Sequence, residues 1–193
     1  MKIVFVNGSP RKDGYTARLM ECIEEGIDKN HAVEWIHTYD LNMKPCQACL
    51  GCRPNQECLL PADAGHDAAR LIRAADALVI GSPTYFGNIS GPLKTLIDRS
   101  LTAFEEIAAS GLEMPIPLHR GKKALMVTAC NIPAPFSQQL SQSAGTLLAI
   151  KTVLDAGGYE IIGRIVLDGA AARKGISQEI AEESRKLGAQ LAP

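Results

Sequence analysis

The chain lacks several common routes to function. Formal net charge at pH 7 is only −1, so no electrostatic case for nucleic acid or an anionic membrane arises. The longest apolar opening, Ile3-Val4-Phe5-Val6 in MKIVFVNGSP, gives way at once to turn residues. That is too short for a secretion signal or a membrane span, and the expected setting is the reducing cytoplasm. No G-x-x-x-x-G-K-[ST] occurs, which disfavours nucleoside triphosphate hydrolysis, and no G-x-G-x-x-G occurs either. The four histidines, His31, His37, His66 and His119, show no metal-ligand spacing and read as solvated or core residues. Aromatics are scarce, at 5% of the chain. No pairing of nucleophile with base stands out, so no catalytic residue is assigned.

What is present is an ordinary globular composition, 46% hydrophobic and 21% charged over 193 residues, enough for one domain with a core. Apolar β-branched runs alternate with segments of helical period. Strands are expected at 3–6, 33–40, 77–80, 124–128 and 161–167. Helices are expected at about 16–29, 63–73 and 142–156. Another opens at Ser90 as N-cap, with Pro92 in its first turn and an apolar face running to Phe104. A last one is capped by Ser177. Strand and helix in strict alternation indicate a parallel sheet covered on both faces. Right-handed crossovers favour the doubly wound order 2-1-3-4-5, whose ligand crevice lies beyond the carboxyl ends of strands 1 and 3. The whole chain, 1–193, is read as one domain.

Two loops therefore reach the crevice. The first, NGSPRKDGYTA, follows a strand and opens a helix. N–H groups at that helix start, with the hydroxyls of Ser9 and Thr16 and the charges of Arg11 and Lys12, suit a phosphate. A plain polar turn capping the helix is the alternative. The second, GSPTYFGNISGP, sets Tyr85 beside Phe86, with Gly87 and Asn88 following. A planar ligand would stack on such a surface, or one ring fills the junction between sheet and helix.

Four of the six cysteines fall in CQACLGCRPNQEC, residues 46–58, as C-x2-C-x2-C-x5-C. Cys46, Cys49, Cys52 and Cys58 lie on a loop (45–59) leaving the second strand, at the crevice edge. A compact run of this kind can wrap a [4Fe–4S] cubane. Zinc accepts four thiolates but usually from two separated C-x2-C pairs. Disulfides and free thiols are the remaining states. Cys22 reads as a packed apolar residue and Cys130 as a strand end near the crevice. Residues 110–123 and 130–145 are irregular stretches that suit a cover or a subunit contact.

GSPRKDGYTARL followed by ADALVIGSPTYFGNISGPLKTLIDR resembles the NADPH-dependent FMN reductase-like branch of the flavodoxin-like superfamily. With KPCQACLGCRPNQEC between them, the chain is similar to iron–sulfur flavoproteins in particular. The resemblance implies a flavodoxin-like fold, FMN, and a redox flavoprotein activity. It maps the phosphate loop onto Ser9, Arg11, Thr16 and Ala17, and the isoalloxazine loop onto Pro83, Thr84, Tyr85, Phe86, Gly87 and Asn88. It also implies a homo-oligomer (dimer or tetramer) with the cluster of one subunit near the flavin of another, and NAD(P)H or a ferredoxin as donor. An iron-free NAD(P)H-dependent FMN or quinone reductase is the alternative within this class. A zinc-stabilised, non-enzymatic binding protein is the alternative outside it.

Overall fold

Every residue of Ile3-Val4-Phe5-Val6 is buried, and the chain has to cover both faces of the strand they form. In this computed structural model, which describes residues 1–108, 110 and 113–192, that is achieved by alternation. Val4 and Val6 join one core with Leu78, Ile80 and Leu93. Ile3 and Phe5 join a second core with Leu19, Val79 and Leu125. A strand with side chains alternating between two apolar layers must be apolar at every position, and this is why these strands read as unbroken runs.

Seven strands and eight helices are described. The strands are β1 (Lys2–Asn7), β2 (Ala32–His37), β3 (Ala77–Pro83), β4 (Glu105–Glu106), β5 (Ile116–Pro117), β6 (Lys123–Ala129) and β7 (Glu160–Leu167). The helices are α1 (Tyr15–Glu24), α2 (Cys52–Asn55), α3 (Ala64–Arg73), α4 (Gly91–Arg99), α5 (Leu101–Phe104), α6 (Phe136–Gln139), α7 (Gln142–Gly157) and α8 (Gln178–Leu191). The main sheet is five-stranded in the order β2-β1-β3-β6-β7, all parallel. Without the small β4–β5 ribbon, this is the expected 2-1-3-4-5 order.

Several expected boundaries are corrected. The first helix stops at Glu24 and not near Lys29. The second strand ends at His37, and Thr38–Asp40 turn as a short 3-10 segment. The helix that starts at Ser90 breaks at Ser100, where φ is −104° and ψ is 20°, so its apolar face continues in the separate α5. Ser90 does cap α4, accepting from the Leu93 N–H at 3.4 Å. Ser177 caps α8 in the same way, from Ile180. Gly158 ends α7 at φ 77°, a left-handed position that favours glycine. The irregular stretch expected over 110–123 includes residues 111 and 112, which lie outside the described residues. Its later part forms β5.

Candidate functional site

Parallel strands end together, so the loops after β1, β3 and β6 meet at one edge. They enclose a cleft of about 470 Å³ lined by the first loop from Ser9 to Tyr15, by Thr16 and Arg18, by Pro83, Thr84 and Tyr85, and by Ala129, Asn131 and Ala170. Six of the ten residues expected to hold a cofactor share this wall: Ser9, Arg11, Thr16, Pro83, Thr84 and Tyr85. Ala17 lies buried in α1 beside it. Phe86, Gly87 and Asn88 lie off the wall and shape its rim.

The first loop is held by its own side chains. Asn7 Oδ1 accepts the Ser9 N–H at 2.9 Å. The Ser9 hydroxyl donates to the Arg11 carbonyl at 3.1 Å and accepts the Arg11 N–H at 3.2 Å. The Thr38 hydroxyl grips the Asn7 carbonyl from the next strand. This leaves the start of α1 open. Gly14 is its N-cap, no side chain caps it, and its first turn holds no acidic residue. The N–H groups of Tyr15, Thr16 and Ala17 precede the first helical acceptor. Pointing at a cleft that also carries Arg11 and Arg18, they make an anion site by geometry and by helix dipole.

The second loop is a two-residue hairpin turn. Tyr85 N–H donates to the Asn88 carbonyl at 2.9 Å and Asn88 N–H to the Tyr85 carbonyl at 3.0 Å. Phe86 (φ 49°) and Gly87 (φ 72°) occupy the two central positions, the pattern of a type I′ turn. Glycine suits this backbone; an aromatic residue there is strained by about 1–2 kcal/mol. Phe86 is also fully exposed, at 101% of its reference area. A strained and solvent-facing ring on the rim of a cleft marks a functional position more than a packing one.

The turn is clamped from behind by α7. Gln142 Oε1 accepts the Gly87 N–H at 3.1 Å. The Thr146 hydroxyl bridges the Asn88 carbonyl at 3.0 Å and Thr84 Oγ1 at 3.1 Å. Thr84 in turn meets Thr128 on β6. Gly145 packs so closely that a Cβ there would sit 2.0 Å from the Gly87 carbonyl oxygen. Sequence reasoning missed this clamp because its members are about 60 residues from the loop they hold. Tyr39 also went unnoticed. It follows β2 and meets Tyr85, and burial together with that contact pushes its phenol up.

The four cysteines of the run lie on one loop and share a cavity wall. Cys46, Cys49, Cys52 and Cys58 all line one small cavity of about 30 Å³, with Leu50, Leu59, Asp98 and Arg99. None is in a disulfide. Burial pushes the Cys52 thiol up, and the Cys58, Cys46 and Cys49 thiols add to this through space. The loop carries three non-glycine residues at left-handed φ: Ala48 (53°), Leu50 (58°) and Gln56 (52°). Gln56 ties it to Ile107 by bonds in both directions. Among the described residues, no three His, Cys, Asp or Glu side chains close on a point as a single metal ion requires.

Arg99 forms the floor of this cavity. Its side chain is 1% exposed. It donates to the Lys44 carbonyl at 2.6 Å and to both oxygens of Asp63 at 2.9 and 3.1 Å. Its Nε is buried without a partner, an orphaned cationic donor that calls for an anionic acceptor. Burial would raise the Asp63 carboxyl, but hydrogen bonds from the Arg99 guanidinium and the Lys44 N–H outweigh it and hold it well below the usual carboxylate range. Cys22 is half-buried and Cys130 buried, and neither lines the cleft.

A family model described as NADPH-dependent FMN reductase matches residues 1–154. Among curated proteins, an iron–sulfur flavoprotein from Archaeoglobus fulgidus is 42% identical over 104 residues, 53% of this chain and 50% of that protein. An iron–sulfur flavoprotein from Clostridioides difficile is 26% identical over 191 residues, 97% of this chain and 76% of that protein. The chain matches only about half the length of the archaeal relatives. Among solved structures, an FMN-dependent NADH-azoreductase from Bacillus anthracis, in complex with FMN, superposes at a TM-score of 0.74 with 15% identity over 100% of both chains. An archaeal flavodoxin does so at 0.56 with 17% identity, over 100% of this chain and 96% of that one. At such identities these likenesses show the fold alone. No helix among the described residues is long and apolar enough to cross a membrane. The family match runs through β1, both cleft loops and the cysteine run to the end of β6 and most of α7, and on it the chain belongs to the NADPH-dependent FMN reductase family.

Proposed function

We propose that this chain is an FMN-dependent oxidoreductase that also carries a [4Fe–4S] cluster on Cys46, Cys49, Cys52 and Cys58. The observation that carries the flavin reading is the uncapped start of α1 facing a cleft of about 470 Å³, because open N–H groups beside Arg11 fit the phosphate of a mononucleotide. When bound, FMN supplies hydride and single-electron chemistry at its ring. The chain's own work is positional. Ser9, Arg11, Thr16 and Ala17 hold the phosphate end. Pro83, Thr84 and Tyr85 form the wall for the ring, and the turn at Phe86-Gly87-Asn88 borders its edge. No general acid or covalent nucleophile is needed.

The donor chemistry of the second site fits the cluster. Four thiols share one cavity with a buried guanidinium whose Nε lacks a partner, and the thiolates of a cluster would supply an acceptor for it. NAD(P)H, giving a hydride, or a ferredoxin, giving single electrons, would serve as the donor to such a flavin site, in a homo-oligomer. Names borne by the curated relatives support the iron–sulfur reading. The family description supports a reductase that works from NADPH.

Purification without oxygen, followed by a visible spectrum and assays of FMN, iron, sulfide and zinc, tests both parts. Flavin with about four irons per chain is expected. Cys49→Ser should abolish the iron absorbance and leave FMN bound. Flavin without iron, with rapid reduction by NAD(P)H, would favour an iron-free reductase. A colourless chain that takes up no FMN would end the flavin reading.

A further inference from the structure

The two ends of the cysteine run are held by one buried network of three side chains. At the entry, the Arg99 guanidinium donates to the Lys44 carbonyl, and the Lys44 N–H donates to Asp63 Oδ2 at 3.1 Å. At the exit, His66 Nε2 donates to the Cys58 carbonyl at 3.1 Å. Between them Asp63 accepts a two-pronged bond from Arg99. Asp63 also caps α3, and its own N–H donates to His66 Nδ1 at 3.2 Å. With Nδ1 accepting, the proton sits on Nε2, which is the arrangement that lets His66 hold Cys58. Asp63, His66 and Arg99 come from α3 and α4, two rigid elements, whereas the run between residues 44 and 58 has a single helical turn of its own.

Arg99 does more than brace the backbone. It is the cation on the cavity wall, since the carboxylate there, Asp98, is turned to Lys94. It lines the same cavity as Cys58. Its Nε keeps one buried N–H unspent. A guanidinium that spends one edge on a carboxylate and a carbonyl, and keeps another donor free, is fixed in direction before any anion arrives.

We propose that Arg99 is the positioning residue of the cysteine site, held by Asp63 in the wall of the cavity that the four cysteines line, so that its unspent N–H and charge offset the negative charge of the group the four cysteines bind. This rests on the cluster reading above. Charge and hydrogen bonds near the sulfurs are the protein's main levers on the potential of an iron–sulfur site, and removing a nearby cation disfavours adding an electron. Arg99 therefore governs the reduction potential as well as occupancy.

The test compares wild type with Arg99→Gln, Arg99→Lys and Asp63→Asn after anaerobic loading with ferrous iron and sulfide. Iron and sulfide per chain, the cluster midpoint potential and bound FMN are read on each. Arg99→Gln should lose at least half of the iron, and the loaded fraction should have a more negative midpoint. Arg99→Lys keeps the charge and should return the midpoint toward wild type. Asp63→Asn keeps the α3 cap and removes the negative charge paired with Arg99, so it should move the midpoint in the opposite direction to Arg99→Gln, toward less negative values. Retained FMN shows that the fold survives. If Arg99→Gln takes up no iron, the other two variants decide by the same measure. Lower iron at an unchanged midpoint would make Arg99 a structural brace only and overturn the proposal, as would full loading at an unchanged midpoint. A wild type that stays free of iron would overturn the cluster reading itself.

Discussion

Gly145→Ala sets two physical effects against each other. In the interior of a helix alanine is worth about 1 kcal/mol more than glycine, and Gly145 lies in α7. Propensity alone therefore predicts a stabler protein. The structure predicts otherwise for the site. A Cβ at this position would meet the Gly87 oxygen at 2.0 Å and the Gly87 carbonyl carbon at 3.0 Å. Both are backbone atoms that cannot rotate aside, so the 85–88 turn must withdraw by about 1 Å for the contact to reach the shortest that packed atoms tolerate. That withdrawal strains two bonds that now fix the turn, Gly87 N–H to Gln142 and the Thr146 hydroxyl to Asn88. Each contributes about 1 kcal/mol, so their loss roughly offsets the propensity gain one to two times over. Melting of the variant without flavin should move little, within about 1 kcal/mol of wild type. FMN affinity should fall by about tenfold or more, since its ring wall has been displaced. Fluorescence titration of apo-protein with FMN measures this directly. An unchanged dissociation constant in a folded variant would refute the assignment of residues 83–88 to the ring.

Thr16→Val removes the hydroxyl from the open first turn of α1 and should weaken FMN by several-fold in the same titration, with riboflavin, which has no phosphate, unaffected. Phe86→Asn places a residue that tolerates left-handed φ in the hairpin turn; the apo-protein should gain up to about 1 kcal/mol in denaturant unfolding, while turnover suffers if the exposed ring serves the bound flavin. His119 is buried, stacked on Tyr159 at 4.6 Å, and its Nε2 donates to the Ala103 carbonyl at 2.7 Å. Burial is the main cause of its depressed pKa, with the Lys122 and Arg73 charges adding and the Ala103 bond opposing. The unfolded chain thus binds the proton first, so His119's contribution to stability is present above about pH 6.5 and is lost as pH falls toward the folded value. His119→Phe should flatten that acid slope, which cannot exceed about 1.4 kcal/mol per pH unit for one group.

How much could be read from the chain follows from how local each signal is. Strand identity needed only the unbroken apolar runs such as Ala77-Leu78-Val79-Ile80, and strand order followed from the alternation with helices. Caps written in adjacent residues, Ser90 with Pro92 and Ser177, were legible for the same reason. Helix ends were less so. Ile23 and Ile27 share a helical spacing, yet Ile27 packs in the core from beyond the end of α1, and periodicity does not distinguish the two. Phe104 likewise continues the apolar face of α4 across a break at Ser100. The cleft loops were legible as sequence because each is a short contiguous stretch beside a strand end.

The second layer of both sites was not legible, and for one reason. Gly145 and Thr146 act on residues 84–88, and Arg99 acts on Lys44 and Asp63, across separations that no local pattern encodes. A glycine inside α7 reads as a weak helix residue until the carbonyl of Gly87 is found against it. Arg99 reads as the basic end of α4 until its side chain is found buried with a free donor. His66, read as a solvated or core histidine, is buried and also ties the carbonyl of the last cysteine to the start of α3. The cleft loops and the cysteine loop are thus each set by side chains drawn from elements made elsewhere in the chain. The consequence for function is specific. Changes in the loops themselves should decide which cofactor binds, whereas changes at Gly145, Thr146, Asp63 or Arg99 should alter how well a bound cofactor is aimed and tuned, with its identity unchanged.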